Sequence, residues 1–171
     1  MLHAVSIGVV LQLSNLSGAP ASVVSSAQAE VVRVYAAAGV SMQWASAAPA
    51  DSVRSIHVVL VPLESGDLRR IADTVMGAAV WTPLGSGLAY VFYRRVEEHA
   101  ALHNAPPERV LAGAVVHELG HLLGTRGHSP TGVMRACWRD SEFRQAAAGV
   151  LGFSARDVAM LHAAMENKPR P

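Results

Sequence analysis

The run His117-Glu118-Leu119-Gly120-His121-Leu122-Leu123-Gly124-Thr125-Arg126-Gly127-His128 constrains this chain more than any other stretch. Residues four apart on an α-helix are separated by roughly 6 Å of rise and share a face. A helix through the run therefore sets the His117 and His121 imidazoles side by side, where they can grip one metal ion. Glu118 lies about 100° around the helix from His117, near enough to touch a metal-bound water without being a ligand. A third imidazole follows within the same run. Three neutral nitrogen donors leave a fourth position open on Zn²⁺, the arrangement of a catalytic zinc and not of a structural one. A helix serving packing alone has no reason to collect two ionisable rings and a carboxylate, because each is costly to bury. The pattern predicts a metallohydrolase.

The pattern continues beyond His128. The H-E-x-x-H-x-x-G stretch and the following His128-Ser129-Pro130-Thr131-Gly132-Val133-Met134 resemble the signature of metzincin zinc endopeptidases. The His-Ser pair and the Val-Met ending are most similar to the matrixin branch. That family places its third histidine three residues after the glycine; here Gly127 holds that position and His128 comes one later. A glycine can take φ > 0 and absorb one extra residue as a local bulge, which would return His128 to the ligand position.

The resemblance implies one catalytic Zn²⁺ held by His117, His121 and His128, with Glu118 as general base and proton carrier and Met134 as a hydrophobic base beneath the metal. The residues after Met134 are Arg135-Ala136-Cys137-Trp138 and include no tyrosine. Oxyanion stabilisation would then fall to zinc alone, as in the matrixin branch. Two other third ligands stay open at this point. Glu142 would serve in a thermolysin-like scheme, and Asp140 in an aspartate scheme. Gly124, Gly127, Pro130 and Gly132 break the chain straight after the motif, which disfavours the long helix that the Glu142 scheme requires. Neither alternative accounts for Met134.

A length of 171 residues fits one domain, residues 1–166, followed by a loose tail over 167–171. The formal charge is +1 and no basic stripe is present, so nucleic acid is not an expected partner. No apolar run reaches the roughly 18–20 residues of a membrane span. Cys137 is the only cysteine, which excludes an internal disulfide and reads as a buried or idle thiol. The expected partner is an extended peptide or protein substrate, met by a monomer. Residues 4–13, followed by Ala19-Pro20-Ala21, have the look of a secretory signal. No Lys or Arg precedes them, however, and Val5-Ser6-Ile7-Gly8-Val9-Val10-Leu11-Gln12-Leu13 alternates like a first strand. Family resemblance favours an extracytoplasmic or secreted location, although the chain shows no clear signal peptide.

Farther along, the periodicity predicts a helix over 21–38, with Val24, Ala27, Val31, Val34 and Tyr35 on one face and Gly39 at its end. Strands are expected over 40–44, 54–61, 77–81 and 88–95. Pro107 suits the first turn of a helix running to Gly124. Ser154 caps a last helix, with Asp157 in its first turn and Val158, Leu161 and Met165 turned inward. His99 and His103 read as histidines of a solvated loop, and His57 and His162 as structural.

This order resembles the metzincin catalytic domain and implies an α+β fold. Its parts would be a five-stranded twisted mixed sheet, two long helices, a zinc helix, a Met-turn and a C-terminal helix. In that family the sheet's edge strand pairs with extended substrate by β-augmentation. Gly77-Ala78-Ala79-Val80-Trp81 is the candidate strand. Arg135 and Trp138 would wall the pocket for the residue after the scissile bond. The alternative is a catalytically silent relative acting as a zinc-binding or protein-interaction module, against which the intact Glu118 argues.

Overall fold

The computed structural model describes residues 8–46, 55–62, 75–82 and 86–166. Strand β1 (Gly8–Asn15) leads into α1 (Ala21–Ala37), then β2 (Ser41–Trp44), β3 (Ser55–Val61), β4 (Gly77–Trp81) and β5 (Gly87–Phe92). Four helices follow: α2 (Tyr93–Leu102), α3 (Pro107–Leu123), α4 (Asp140–Ala147) and α5 (Ala155–Glu166). Among the described residues the fold is mixed, with five helices and one five-stranded sheet in the order β2-β1-β3-β5-β4. β1 pairs in parallel with β2 and β3, β3 in parallel with β5, and β4 runs antiparallel to β5 at the edge. Among the described residues, no helix is long and apolar enough to cross a membrane.

Alternation along the strands builds the core. Val9 and Leu11 of β1, Ile56, Val58 and Leu60 of β3, and Ala89 and Val91 of β5 are at most 1% exposed. Successive strand side chains point to opposite faces, so these residues line the face that the helices cover. α1 lies against α3, and α3 packs on β4 and β5. The expected face of α1 is buried, and its Tyr35 hydroxyl donates to the Val116 carbonyl of α3 at 3.0 Å. α3 is therefore walled on most of its circumference, with residues 110–116 all buried. On the other face of the sheet His57 bonds Ser14 at 2.8 Å; on the helical side His162 of α5 reaches the Ala38 carbonyl at the end of α1 at 2.7 Å. Both histidines have the structural roles expected of them.

The fourth predicted strand is too long. β5 stops at Phe92, and Tyr93, Arg94 and Arg95 open α2. Tyr93, Val96 and Ala100 recur at helical spacing and are buried, and the Arg95 guanidinium donates to the Val75 carbonyl at 2.6 Å. The apolar run thus continues from strand into helix without a turn residue between them. This corrects the loop reading of His99 and His103 as well. His99 lies on α2, His103 caps its end, and both rings stack on Phe143 of α4. Residues 5–7 of the expected first strand, Arg54 and the 167–171 tail lie outside the described residues, and Val40 sits just before β2.

Gly124 ends α3 at φ 121°, and a Cβ placed there would come within 2.1 Å of the Ala164 Cβ of α5. Gly127 has φ 76° but no neighbour within 4 Å of such a Cβ. Gly124→Ala should therefore cost about 3 kcal/mol, from overpacking added to backbone strain. Gly127→Ala should cost only about 1–2 kcal/mol of strain. Urea unfolding of the two variants checks this; equal losses would contradict the close seat of α5 on the end of α3.

Candidate metal centre

His117 and His121 project from the one side of α3 that the core leaves half-open, and each ring is fixed by its other nitrogen. Nδ1 of His117 donates to the Val133 carbonyl at 2.8 Å, and Nδ1 of His121 to the Thr125 carbonyl at 3.3 Å. A carbonyl can only accept, so both Nδ1 atoms carry the proton and both Nε2 atoms present lone pairs. Those Nε2 atoms face each other at 3.1 Å. Burial lowers the pKa of His117 from 6.5 to about 4 and lowers that of His121, so at neutral pH no proton sits between them. Two lone pairs at this distance repel unless a cation lies between. Ligands about 2.0–2.1 Å from a tetrahedral ion would stand roughly 3.3 Å apart. The donor set fits a metal of zinc's kind.

His128 completes the cluster. Its ring centroid is 5.3 Å from that of His117 and 5.0 Å from that of His121. One donor atom from each of the three rings falls within 4.8 Å of the others. The chain reaches this point through left-handed glycines: Gly124 ends the helix, and Gly127, at φ 76°, turns the following residue back toward α3. Glu142 and Asp140 do not join the cluster. The Glu142 carboxylate accepts from the Arg139 backbone N–H and the Ser141 hydroxyl, both at 3.0 Å, capping α4. Asp140 pairs with His103 at 2.9 Å.

Beneath the histidines the segment 129–135 folds into a tight turn. The Ser129 N–H donates to the Met134 carbonyl, and the Val133 N–H to that of Gly152, each at 2.9 Å. Met134 is fully buried, and its sulfur lies 2.6 Å from where a Cβ on Gly120 would be. Gly120 thus lets the methionine rest against α3 between the two helical histidines. The Ser129 hydroxyl donates at 2.5 Å to Asp157, which also accepts from the Ser154 backbone N–H at 3.1 Å. Ser154-x-x-Asp157 was legible in sequence as a helix cap; the link to Ser129, adjoining His128, left no sequence signal.

Glu118 is 6% exposed, and burial raises its pKa from 4.5 to about 8. Gly77, the first residue of β4, lies directly against it: a Cβ there would come 2.7 Å from Glu118 Cγ and 2.8 Å from Oε1. A cleft opens beside His117 and Glu118, bordered by Val75, Met76 and Gly77, floored by Ala114, and closed by Arg135, Ala136 and Trp138. Of the other expected strand residues, Ala78 and Ala79 are half-buried, while Val80 and Trp81 are 44% and 51% exposed. These four do not line the cleft. Cys137 is exposed, which removes the buried-thiol option. No protein-family model matches the chain, and no curated protein matches it.

Two opposed titrations should mark the metal-free protein. Glu118 has a raised pKa in the folded state, so its contribution is intact below 4.5 and is lost as pH rises through 8. His117 has a lowered one, so stability falls as pH drops from 6.5 through 4. Between 4.5 and 6.5 the two slopes oppose; above 6.5 only the loss from Glu118 remains. Unfolding in chelator should show about 1 kcal/mol less stability at pH 8 than at pH 6.5, and Glu118→Gln should remove that loss. An unchanged slope in the variant would assign the titration to another group.

Proposed function

We propose that the protein is a zinc-dependent endopeptidase of the metzincin type, similar to the matrixin branch, acting on extended peptides or proteins. The observation that carries this reading is the convergence of three imidazoles beside a buried carboxyl, with the tautomers of the two helical rings set so that their free nitrogens face one another. The order of mixed sheet, α3, turn around Met134 and closing helix supports it. So does the position of β4, whose outer side has no partner strand among the described residues and whose Gly77 lies against Glu118. An extended peptide can add there as a further strand, with its backbone bonds supplying affinity.

His117, His121 and His128 would hold the ion. When bound, zinc supplies Lewis acidity that makes a water a better nucleophile near neutral pH and polarises the scissile carbonyl. Glu118 does the proton work: its carboxylate takes a proton from the attacking water and passes it to the departing amine. Burial alone would leave this group largely protonated at neutral pH, whereas a dication a few ångströms away favours the carboxylate. The ion and the base therefore depend on each other. The carbonyls of Val133 and Thr125 fix the tautomer and orientation of the two helical imidazoles, while burial keeps the rings neutral.

His128→Ala should lower zinc affinity by about 100-fold or more, while Glu142→Gln leaves it unchanged, as read by competition with a chromogenic chelator. The reverse pattern would replace this ligand set with a glutamate scheme. Glu118→Ala should retain one zinc per chain and lose hydrolysis of an unfolded protein substrate by at least about 10⁴-fold. Wild-type protein with full zinc and no hydrolysis of any peptide would leave a silent zinc-binding module in its place.

A further inference from the structure

The cleft beside His117 and Glu118 is small, and the Trp138 side chain is part of its lining. The Trp138 indole lies against α3 at Gly113, where an added Cβ would be 2.2 Å from the ring. No other residue at position 113 would admit it. The indole N–H donates to the Val133 carbonyl at 3.2 Å, and the ring meets Phe143 edge-on at a centroid distance of 5.4 Å. Three contacts from three elements hold it in place. Arg135, which also lines the cleft, is held as well: its guanidinium donates to the Pro130 carbonyl at 2.6 Å and to that of Cys137 at 3.1 Å. The free volume left in the cleft is about 30 Å³. About 10–15 Å³ of this measure admits one water molecule, so the space takes a methyl or hydroxymethyl group and not a branched or aromatic side chain.

Resting on the endopeptidase reading above, we infer that Trp138 is a specificity-determining residue that restricts the side chain flanking the scissile bond, on the Trp138 side of the site, to glycine, alanine or serine. Binding can test this apart from turnover. The probes are two peptide hydroxamates that engage the metal of the zinc-loaded protein, one carrying a methyl side chain beside the hydroxamate and the other an isobutyl. Calorimetry should give the wild type at least tenfold tighter binding of the methyl compound. Trp138→Ala should reverse the order by a similar factor. Trp138→Leu, which keeps an apolar contact on Gly113, should fall between them and serves if the alanine variant does not fold.

A wild type that takes isobutyl as well as methyl overturns the inference. So does binding of neither compound, or an unchanged order in a folded, zinc-loaded variant. Peptides varied at both positions around the scissile bond separate this from the reading it rests on. Efficient cleavage next to leucine on both sides would sink the pocket assignment and spare the endopeptidase. The expected hydroxamate order with no peptide cleaved would sink the endopeptidase and spare the pocket.

Discussion

The Val133 carbonyl ties the site together. It accepts the Nδ1–H of His117 at 2.8 Å and the indole N–H of Trp138 at 3.2 Å, while the N–H of the same residue is held by Gly152. The backbone of one residue therefore sets the tautomer of a helical imidazole, fixes the wall of the adjacent cleft and anchors the turn that carries Met134. Val133 itself is 1% exposed, so these bonds form away from competing water and each is worth more than it would be at the surface. If this carbonyl moved, His117 would lose its orienting partner and Trp138 one of its three supports.

Burial gives the site its chemical character. α3 is enclosed by α1, by the sheet and by the 129–135 turn, leaving its histidines in the narrow opening between β4 and that turn. Enclosure keeps the imidazoles neutral and the Glu118 carboxyl protonated in the absence of a cation. It also demands close fits, which glycines permit. Gly120 admits the Met134 sulfur, Gly113 the Trp138 ring, and Gly77 the Glu118 side chain. Each substitutes an absent side chain for an intimate contact at the surface of α3, and together they press the edge strand, the turn and the helix onto a common point.

The parts of this arrangement legible in the sequence are the local ones. Helical spacing gives the pairing of His117 with His121, the second and third strands are legible to within one residue at each end, the first to within two at its C-terminal end, and Ser154 marks the start of α5. Gly77–Trp81 was identified with its observed bounds because Gly and Pro punctuate it on both sides. Local signals fail where one element runs directly into another, as at Phe92 and Tyr93, where the apolar run of β5 passes into α2 with no turn residue to mark the change. α4 was missed because its cap is an arginine, Arg139, supported by the Glu142 side chain in place of a Ser, Thr, Asn or Asp. The bonds from Ser129 to Asp157 and from Trp138 to Val133 are tertiary, and no spacing rule reports them. Gly127 lies between these cases: its residue type permitted the turn that His128 needs, and only the fold could place the ring.

The central claim is that three imidazole nitrogens converge on a single cation. X-ray absorption at the zinc edge of the stoichiometrically loaded protein tests it most directly. The account predicts three imidazole nitrogens at about 2.0–2.1 Å with one light oxygen donor and no sulfur. A sulfur scatterer at about 2.3 Å, from Cys137, or a shell of two imidazoles completed by carboxylate oxygens would contradict it.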